Sequence, residues 1–338
     1  MWIVSNKTPY CAEGTWVQDR DANKVWLVVV KATFDIRADG STCLSDNLIP
    51  ALRMAEPVGV AGASLTYESD LLGVKPCTDI LVRGSAWVPG GRRRSSLDVE
   101  LEAGPIKKCL RVFGDRVWKR GPMGLGISRA QEFESMPITY ERAYGGWDRT
   151  PPDPADHRIE SRNPVGTGFV SRKRHCVDVR LPNVEYRNQL ISSWKHRPPP
   201  AGLNAVDCSW SPRRELAGSY DVEWRQNRFP LWAENFDQHY HNCAPRDQQA
   251  PGFLQGGEAF NLINLSREGR LAFVLPRLHL SFHTRFGRER VEQRAQLCTV
   301  IVEPDFPRVI VAWQTHLVCN HRTDELDETV VTEEQRIH

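Results

Sequence analysis

No cysteine of this chain stands in a Cys-x-x-Cys pair, although nine are present, at positions 11, 43, 77, 109, 176, 208, 243, 298 and 319. An odd, scattered set of thiols does not form a disulfide frame and suits a reducing cytosol. Long apolar runs are missing too. The longest, from Val25 to Val30, is broken by Lys31 and falls far short of the ~20 residues a membrane helix needs. The first nine residues lack a basic start followed by an apolar stretch, so no secretory leader is expected there. Net charge is almost absent: 44 Lys+Arg against 42 Asp+Glu leave +2. That excludes a polycation built to neutralise a nucleic-acid backbone, and neither a nucleic-acid nor a membrane partner is expected.

Helical periodicity is scarce. No segment holds a 3.6-residue apolar stripe through three turns, and residues 45–56 and 323–336 are the only helix candidates. With 24 Gly and 23 Pro the chain has many turn signals. What it does have is strand periodicity. In residues 25–36, Trp26, Val28, Val30, Ala32, Phe34 and Ile36 share one face. The other face starts apolar and turns polar at Lys31, Thr33 and Asp35, so this strand is expected to end half exposed. Residues 97–102 alternate apolar and acidic and lead through a Gly-Pro turn into 108–118, a hairpin. Four more β-type runs follow at 270–276, 278–286, 295–303 and 308–317.

Strands grouped at both ends without alternating helices point to a mainly β protein of antiparallel sheets, sandwich-like, with long irregular loops and few short helices. Residues 1–317 read as one continuous unit with two β-rich lobes, about 1–145 and 146–317. Residues 318–338 follow as an acidic tail carrying Asp324, Glu325, Asp327, Glu328, Glu333 and Glu334, expected to be mobile.

The search for chemistry returns little. Gly-x-x-x-x-Gly-Lys-Ser/Thr is absent, and Gly121-Pro-Met-Gly124-Leu-Gly126 lacks the lysine that would reach a phosphate. Gly-x-Ser-x-Gly does not occur either. No catalytic residue, cofactor or resident metal is therefore assigned. One metal candidate stands as the alternative: on a strand, His239, His241 and Cys243 would share a face, the arrangement of a zinc-dependent hydrolase. The competing reading makes them ordinary core and surface residues.

Other polar clusters carry more. Gly114-Asp115-Arg116 sits at an apparent hairpin bend, where Asp bonds its own backbone and Arg reaches across. Tyr140, Arg142 and Tyr144 alternate, so an extended chain would place them on one face. An aromatic–Arg–aromatic stripe is either an interface element or a buried Arg stacked between rings.

Taken in order, these clusters resemble a bacterial family, domain of unknown function number 2169, associated with type VI secretion loci. The resemblance runs through Val28-Val-Val-Lys-Ala-Thr-Phe34, Glu68-Ser-Asp70, Lys75-Pro-Cys-Thr-Asp79 and Gly84-Ser-Ala-Trp-Val-Pro-Gly-Gly91. It continues through Val112-Phe-Gly-Asp-Arg-Val-Trp118, Tyr140-Glu-Arg-Ala-Tyr-Gly-Gly146, Arg162-Asn-Pro-Val-Gly-Thr-Gly168 and Leu181-Pro-Asn-Val-Glu185. Pro200-Ala-Gly202, Trp210-Ser-Pro-Arg213, Ala217-Gly-Ser-Tyr-Asp221, Asp247-Gln-Gln249, Gly256-Gly-Glu258, Leu275-Pro276 and Val302-Glu-Pro304 complete it.

The resemblance implies a non-catalytic adaptor or chaperone of the bacterial cytoplasm that loads an effector onto the secretion spike. Its implied partners are the VgrG trimer, a PAAR tip protein and an effector. Asp115, Arg116, Tyr140, Arg142, Tyr144, Asn163, Asn183 and Glu185 are nominated as the partner-binding surface. Two positions depart from the family pattern: Cys298 stands where Asp is usual, and Gln314 where Arg is usual.

Overall fold

The valine- and tryptophan-rich run after residue 24 extends rather than coils, because β-branched side chains lose rotamer freedom in a helix and pack well on a pleated surface. The computed structural model describes residues 3–59, 62–122 and 124–334. Its principal strands in chain order are β1 (Ile3–Asn6), β2 (Cys11–Gln18), β3 (Lys24–Ile36), β4 (Thr42–Leu44) and β5 (Asp79–Val82). Next come β6 (Ser96–Ala103), β7 (Ile106–Phe113), β8 (Val184–Tyr186), β9 (Ala259–Ile263) and β10 (Arg270–Val274). The last are β11 (Leu280–Phe286), β12 (Glu289–Arg294), β13 (Gln296–Glu303), β14 (Arg308–Val318) and β15 (Leu326–Glu333).

Three larger sheets result. A six-stranded sheet runs β2-β3-β14-β13-β5 with β4 paired to β3, a five-stranded sheet runs β8-β7-β6-β9-β10, and a four-stranded sheet runs β1-β15-β11-β12. Pairing is antiparallel except for β13 with β5 and β1 with β15. The fold is thus mainly β. No helix among the described residues is long and apolar enough to cross a membrane.

The six-stranded sheet is the centre. One of its faces carries Trp26, Val28, Val30, Ala32, Phe34 and Ile36 into a core shared with Val99, Leu101, Phe260 and Leu262 of the five-stranded sheet. Phe282 and Val331 of the four-stranded sheet enter the same core, and Trp26 Nε1 donates to Thr329 Oγ1 at 2.9 Å. The opposite face is roofed by largely irregular chain that includes the short strand pair Glu56–Pro57 and Leu65–Tyr67. There Leu27 and Val29 meet Leu71, Cys298 and Ala312, while Ile301 and Ile310 meet Leu65, Tyr67, Ala205 and Cys243.

Several expectations need correction. β3 does not end half exposed: Lys31 is 1% exposed and Thr33 is fully buried, and only Asp35 of the three reaches solvent. Both polar groups have partners under the roof, Lys31 Nζ on Asp70 at 2.8 Å and Thr33 Oγ1 accepting from Ile49 N at 3.0 Å. A division near residue 145 does not separate the sheets, since β3 pairs with β14, β5 with β13, β6 with β9 and β7 with β8.

Neither helix candidate is a helix. Residues 45–56 are irregular, and residues 323–336 enter a 3-10 turn, Asn320–Glu325, followed by β15. Most of the expected mobile tail is therefore an ordered strand lying between β1 and β11. Leu326, Thr329 and Val331 are buried there while the acids lie toward solvent, a pattern that the density of acidic residues hides. Residues 335–338 lie outside the described residues.

Candidate partner-binding surface

The nominated residues are built around the bend after β7. Gly114 is needed there because a Cβ would collide with the Gln131 carbonyl. Beyond it Asp115 is exposed and Arg116 folds inward, its guanidinium 3.6 Å above the Phe113 ring. Arg116 forms a buried ion pair with Glu185, whose second oxygen accepts from Ile191 N at 2.7 Å.

Tyr140–Arg142 is a single 3-10 turn, so the stripe expected on an extended chain does not form; successive side chains of such a turn point about 120° apart. Tyr140 is buried edge-on against Trp210, ring centroids 5.4 Å apart, in a site that Gly202 keeps open. Tyr144 is buried in a different cluster, with Trp118, Val170, Cys176, Leu181 and Ile191. Asn163, fully buried, donates to the Tyr140 and Tyr144 carbonyls at 2.7 and 3.1 Å and so holds the loop in shape. Tyr140, Tyr144, Asn163 and Glu185 are buried inside the chain and present almost no exposed surface.

Four of the eight do converge. Asp115, Arg116, Arg142 and Asn183 line one hollow of about 210 Å³ together with Glu141 and Arg180. Asn183 is its keystone, donating to the Phe113 carbonyl at 3.1 Å and to Asp115 Oδ1 at 2.9 Å, and accepting from Arg142 Nη1 at 3.1 Å. Arg180 was not among the nominated residues, and no local motif marks it.

The metal trio is dispersed. Gln238–His241 is a 3-10 turn capped by Asp237, not a strand. His239 pairs with Asp237 at 2.9 Å near the surface. His241 turns into an aromatic box with Trp232, Phe236 and Tyr240. Cys243 is buried beside Asp79, and burial pushes its thiol far up. Among the described residues no three His, Cys, Asp or Glu side chains form a cation ligand set.

The charged residues of the prominent motifs pin the irregular roof onto the central sheet. Lys31 holds Asp70, which also accepts from Leu52 N at 2.8 Å. Lys75 donates to Asp79 at 2.7 Å and to Thr299 Oγ1 at 2.8 Å. Burial pulls the Lys75 ammonium down, but the Asp79 carboxylate beside it carries it above its ordinary value. Asp79 in turn anchors residues 242–244 through Asn242 Nδ2 at 2.9 Å, Cys243 N at 2.9 Å and Ala244 N at 3.2 Å. Arg213 joins Glu68 at 2.5 Å and the Tyr240 carbonyl at 2.9 Å. Gln314, the departure noted above, clamps the roof with Nε2 on the Gly73 carbonyl at 2.8 Å and Oε1 on Lys75 N at 3.0 Å.

This anchored roof presents an aromatic flap, residues 219–241. Asp221 caps its short helix α1 (Val222–Asn227), accepting from Trp224 N at 2.9 Å. Tyr220, Trp224 and Phe229 pack edge to face at 4.8 and 5.5 Å, yet Val222 is 70% exposed, Phe229 67% and Tyr220 46%. Between the flap and the end of the central sheet lies a hollow of about 370 Å³ of mixed character, with Val25, Leu72, Trp232 and Phe236 in its wall beside polar residues 18–21 and His241.

Burial, with Arg213 and Lys75 nearby, pulls the His241 imidazole down to about 4. β2 beside this hollow is the outermost strand of its sheet. The Gln18 carbonyl at its end accepts from Trp232 Nε1 at 3.2 Å. The surface thus combines exposed aromatics, a recess of mixed apolar and charged lining and a strand at the edge of its sheet.

No curated protein and no solved structure matches the chain. Residues 21–314, most of its length, match the family described as Uncharacterized protein conserved in bacteria (DUF2169), and the chain belongs to that family.

Proposed function

We propose that the protein is a non-catalytic adaptor of a bacterial type VI secretion system, working in the cytoplasm, that binds an effector and helps load it onto the VgrG spike or its PAAR tip. The observation that carries this reading is the flap: Tyr220, Val222 and Phe229 are largely exposed on it, its Trp232 and Phe236 wall a recess, and the roof that bears it is pinned by buried ion pairs. Exposed aromatics next to a recess are what a partner-binding surface needs, since burying them on association supplies about 25 cal/mol per Å² of apolar area. The open edge of β2 offers backbone donors and acceptors to an extended segment of the bound chain.

The test is co-elution of the purified protein with the purified effector, VgrG trimer and PAAR protein of its host's secretion system. Wild type is expected to form a complex with at least one of them. Val222→Asp with Phe229→Asp should abolish it while leaving the melting temperature within a few degrees, because both side chains are mostly exposed and Phe229 loses only its edge contact with Trp224. Absence of any complex with wild type, or undiminished binding by the double variant, would overturn the reading.

A further inference from the structure

We infer that the hollow between Arg142 and Arg180 is a carboxylate-binding site that seats an aspartate or glutamate side chain of an extended partner segment. That the carboxylate comes from a protein partner rests on the adaptor reading above; the site itself stands on its hydrogen-bond inventory.

The acids in its wall are already served. Both oxygens of Glu141 accept from Ser64, from N and Oγ, each at 2.9 Å. Asp115 Oδ1 accepts from Asn183, and Glu185, which pairs with Arg116 without lining the hollow, also accepts from Ile191 N. The cations are not. Arg142 spends only Nη1, on Asn183. Arg180 is exposed and makes no side-chain hydrogen bond, ion pair or ring contact among the described residues. The Nε–H of Arg116, out of solvent, has no acceptor there either. What the hollow leaves open is therefore mostly N–H donors on guanidinium groups, and the ligand that completes such a set is an anionic acceptor.

The donors are also held in place. Asn183, only 6% exposed, fixes the Arg142 guanidinium through its side chain, and its backbone N–H donates to the Arg142 carbonyl at 2.8 Å. A guanidinium held by a buried amide loses little freedom on binding. At about 210 Å³ the space suits one acidic side chain.

Asp115 at the rim and Glu141 in the wall weigh against a doubly charged phosphate and favour a singly charged carboxylate. Past Thr167 and Arg180 the surface continues into a second hollow of about 270 Å³, largely polar, whose wall includes Trp147 and Phe169 beside Asp148 and Thr150. Trp147 is exposed there beneath the Arg149 guanidinium, 5.1 Å from its ring. An acidic residue followed by one that can stack on the exposed Trp147 ring matches the pair of hollows.

The experiment is a titration of the intact protein with N-acetyl-glutamate α-amide, followed by the arginine Nε–H signals in ¹⁵N-edited NMR. N-acetyl-glutamine α-amide and inorganic phosphate serve as comparison probes. The inference expects saturable shifts of the Arg142 and Arg180 signals with the glutamate probe and none with the glutamine probe. Arg180→Gln, which breaks no bond of the folded chain, should weaken binding about tenfold, and Asp115→Asn should strengthen it a few-fold.

Absence of saturation, equal binding of the glutamine probe, or an unchanged affinity in Arg180→Gln overturns the site. Tighter binding of phosphate than of the glutamate probe overturns the carboxylate assignment. Because the titration contains no secretion protein, its failure is distinct from failure of the co-elution experiment, and the flap variants leave it unaffected.

Discussion

Acidification from pH 7 to 5 is expected to loosen the roof through one imidazole. His241 sits against Trp232, Phe236 and Tyr240, with Gly73 so close that any Cβ there would strike its ring. Burial first, then the Arg213 and Lys75 cations, bring its pKa from 6.5 down to about 4. Asp79 and Glu68, the partners of those two cations, are committed to Lys75 and Arg213, and Asp19 and Asp21 line the same hollow. The unfolded chain therefore takes up a proton near pH 6.5 that the folded chain refuses until about pH 4.

Stability is highest above pH 6.5 and falls as the pH drops through this window. At 1.36 kcal/mol per unit the loss is about 2 kcal/mol by pH 5 and about 3 kcal/mol below pH 4. His316, at the same hollow and also pulled down by burial, adds to the slope in the same direction. The lowered carboxylates Glu141 and Glu160 contribute only near and below their ordinary value of 4.5. The assay is urea unfolding at pH 7 and pH 5 for wild type, His241→Gln, and His241→Gln with His316→Gln. The single variant should lose most of the difference between the two pH values and the double variant nearly all of it. An undiminished difference in the double variant would refute the assignment.

Two stability predictions follow from the same structure. Asp70→Asn leaves the Lys31 ammonium buried without its counter-charge, a loss of about 3–5 kcal/mol; combining it with Lys31→Met should recover most of that in urea unfolding, and no recovery would mean that the pair is not the cause. Val331→Ala opens a gap where β15 meets the central core, with an expected loss of about 2 kcal/mol; truncation after Val318 should abolish cooperative unfolding, and a truncated chain that melts like the whole one would show that β15 contributes nothing.

What was legible in advance was whatever repeats along the chain. The period-two run of β3, the alternation of Leu97, Val99 and Leu101, and the hydrophobic strands at 296–303 and 308–318 are written locally, because successive side chains of a strand point to opposite faces and an apolar run marks both faces for burial. Interleaving was not legible. Nothing near Val309 or Phe260 says that the first will lie beside Phe34 and the second beside Ala103.

The candidate site divides in the same way. Asp115, Arg116, Arg142 and Asn183 were marked by their motifs, but Arg180, which completes their hollow, belongs to it only by proximity in space. Tyr140 and Tyr144 show the converse: alternation placed them on one face, and a 3-10 turn sent them into separate cores. The acidic residues near the end were likewise read by their charge, while the tertiary structure used Leu326 and Val331 between them to bind a strand.

The amino-acid sequence by itself determined the β character, the motif residues and the near neutrality of the chain, since backbone preference and composition are local properties. Tertiary structure alone decided which charges became buried locks, which remained free in a hollow and which aromatics stayed in solvent. Those outcomes depend on partners distant along the chain, such as Asp70 for Lys31 and Arg213 for Glu68, and burial is a property that no residue carries on its own.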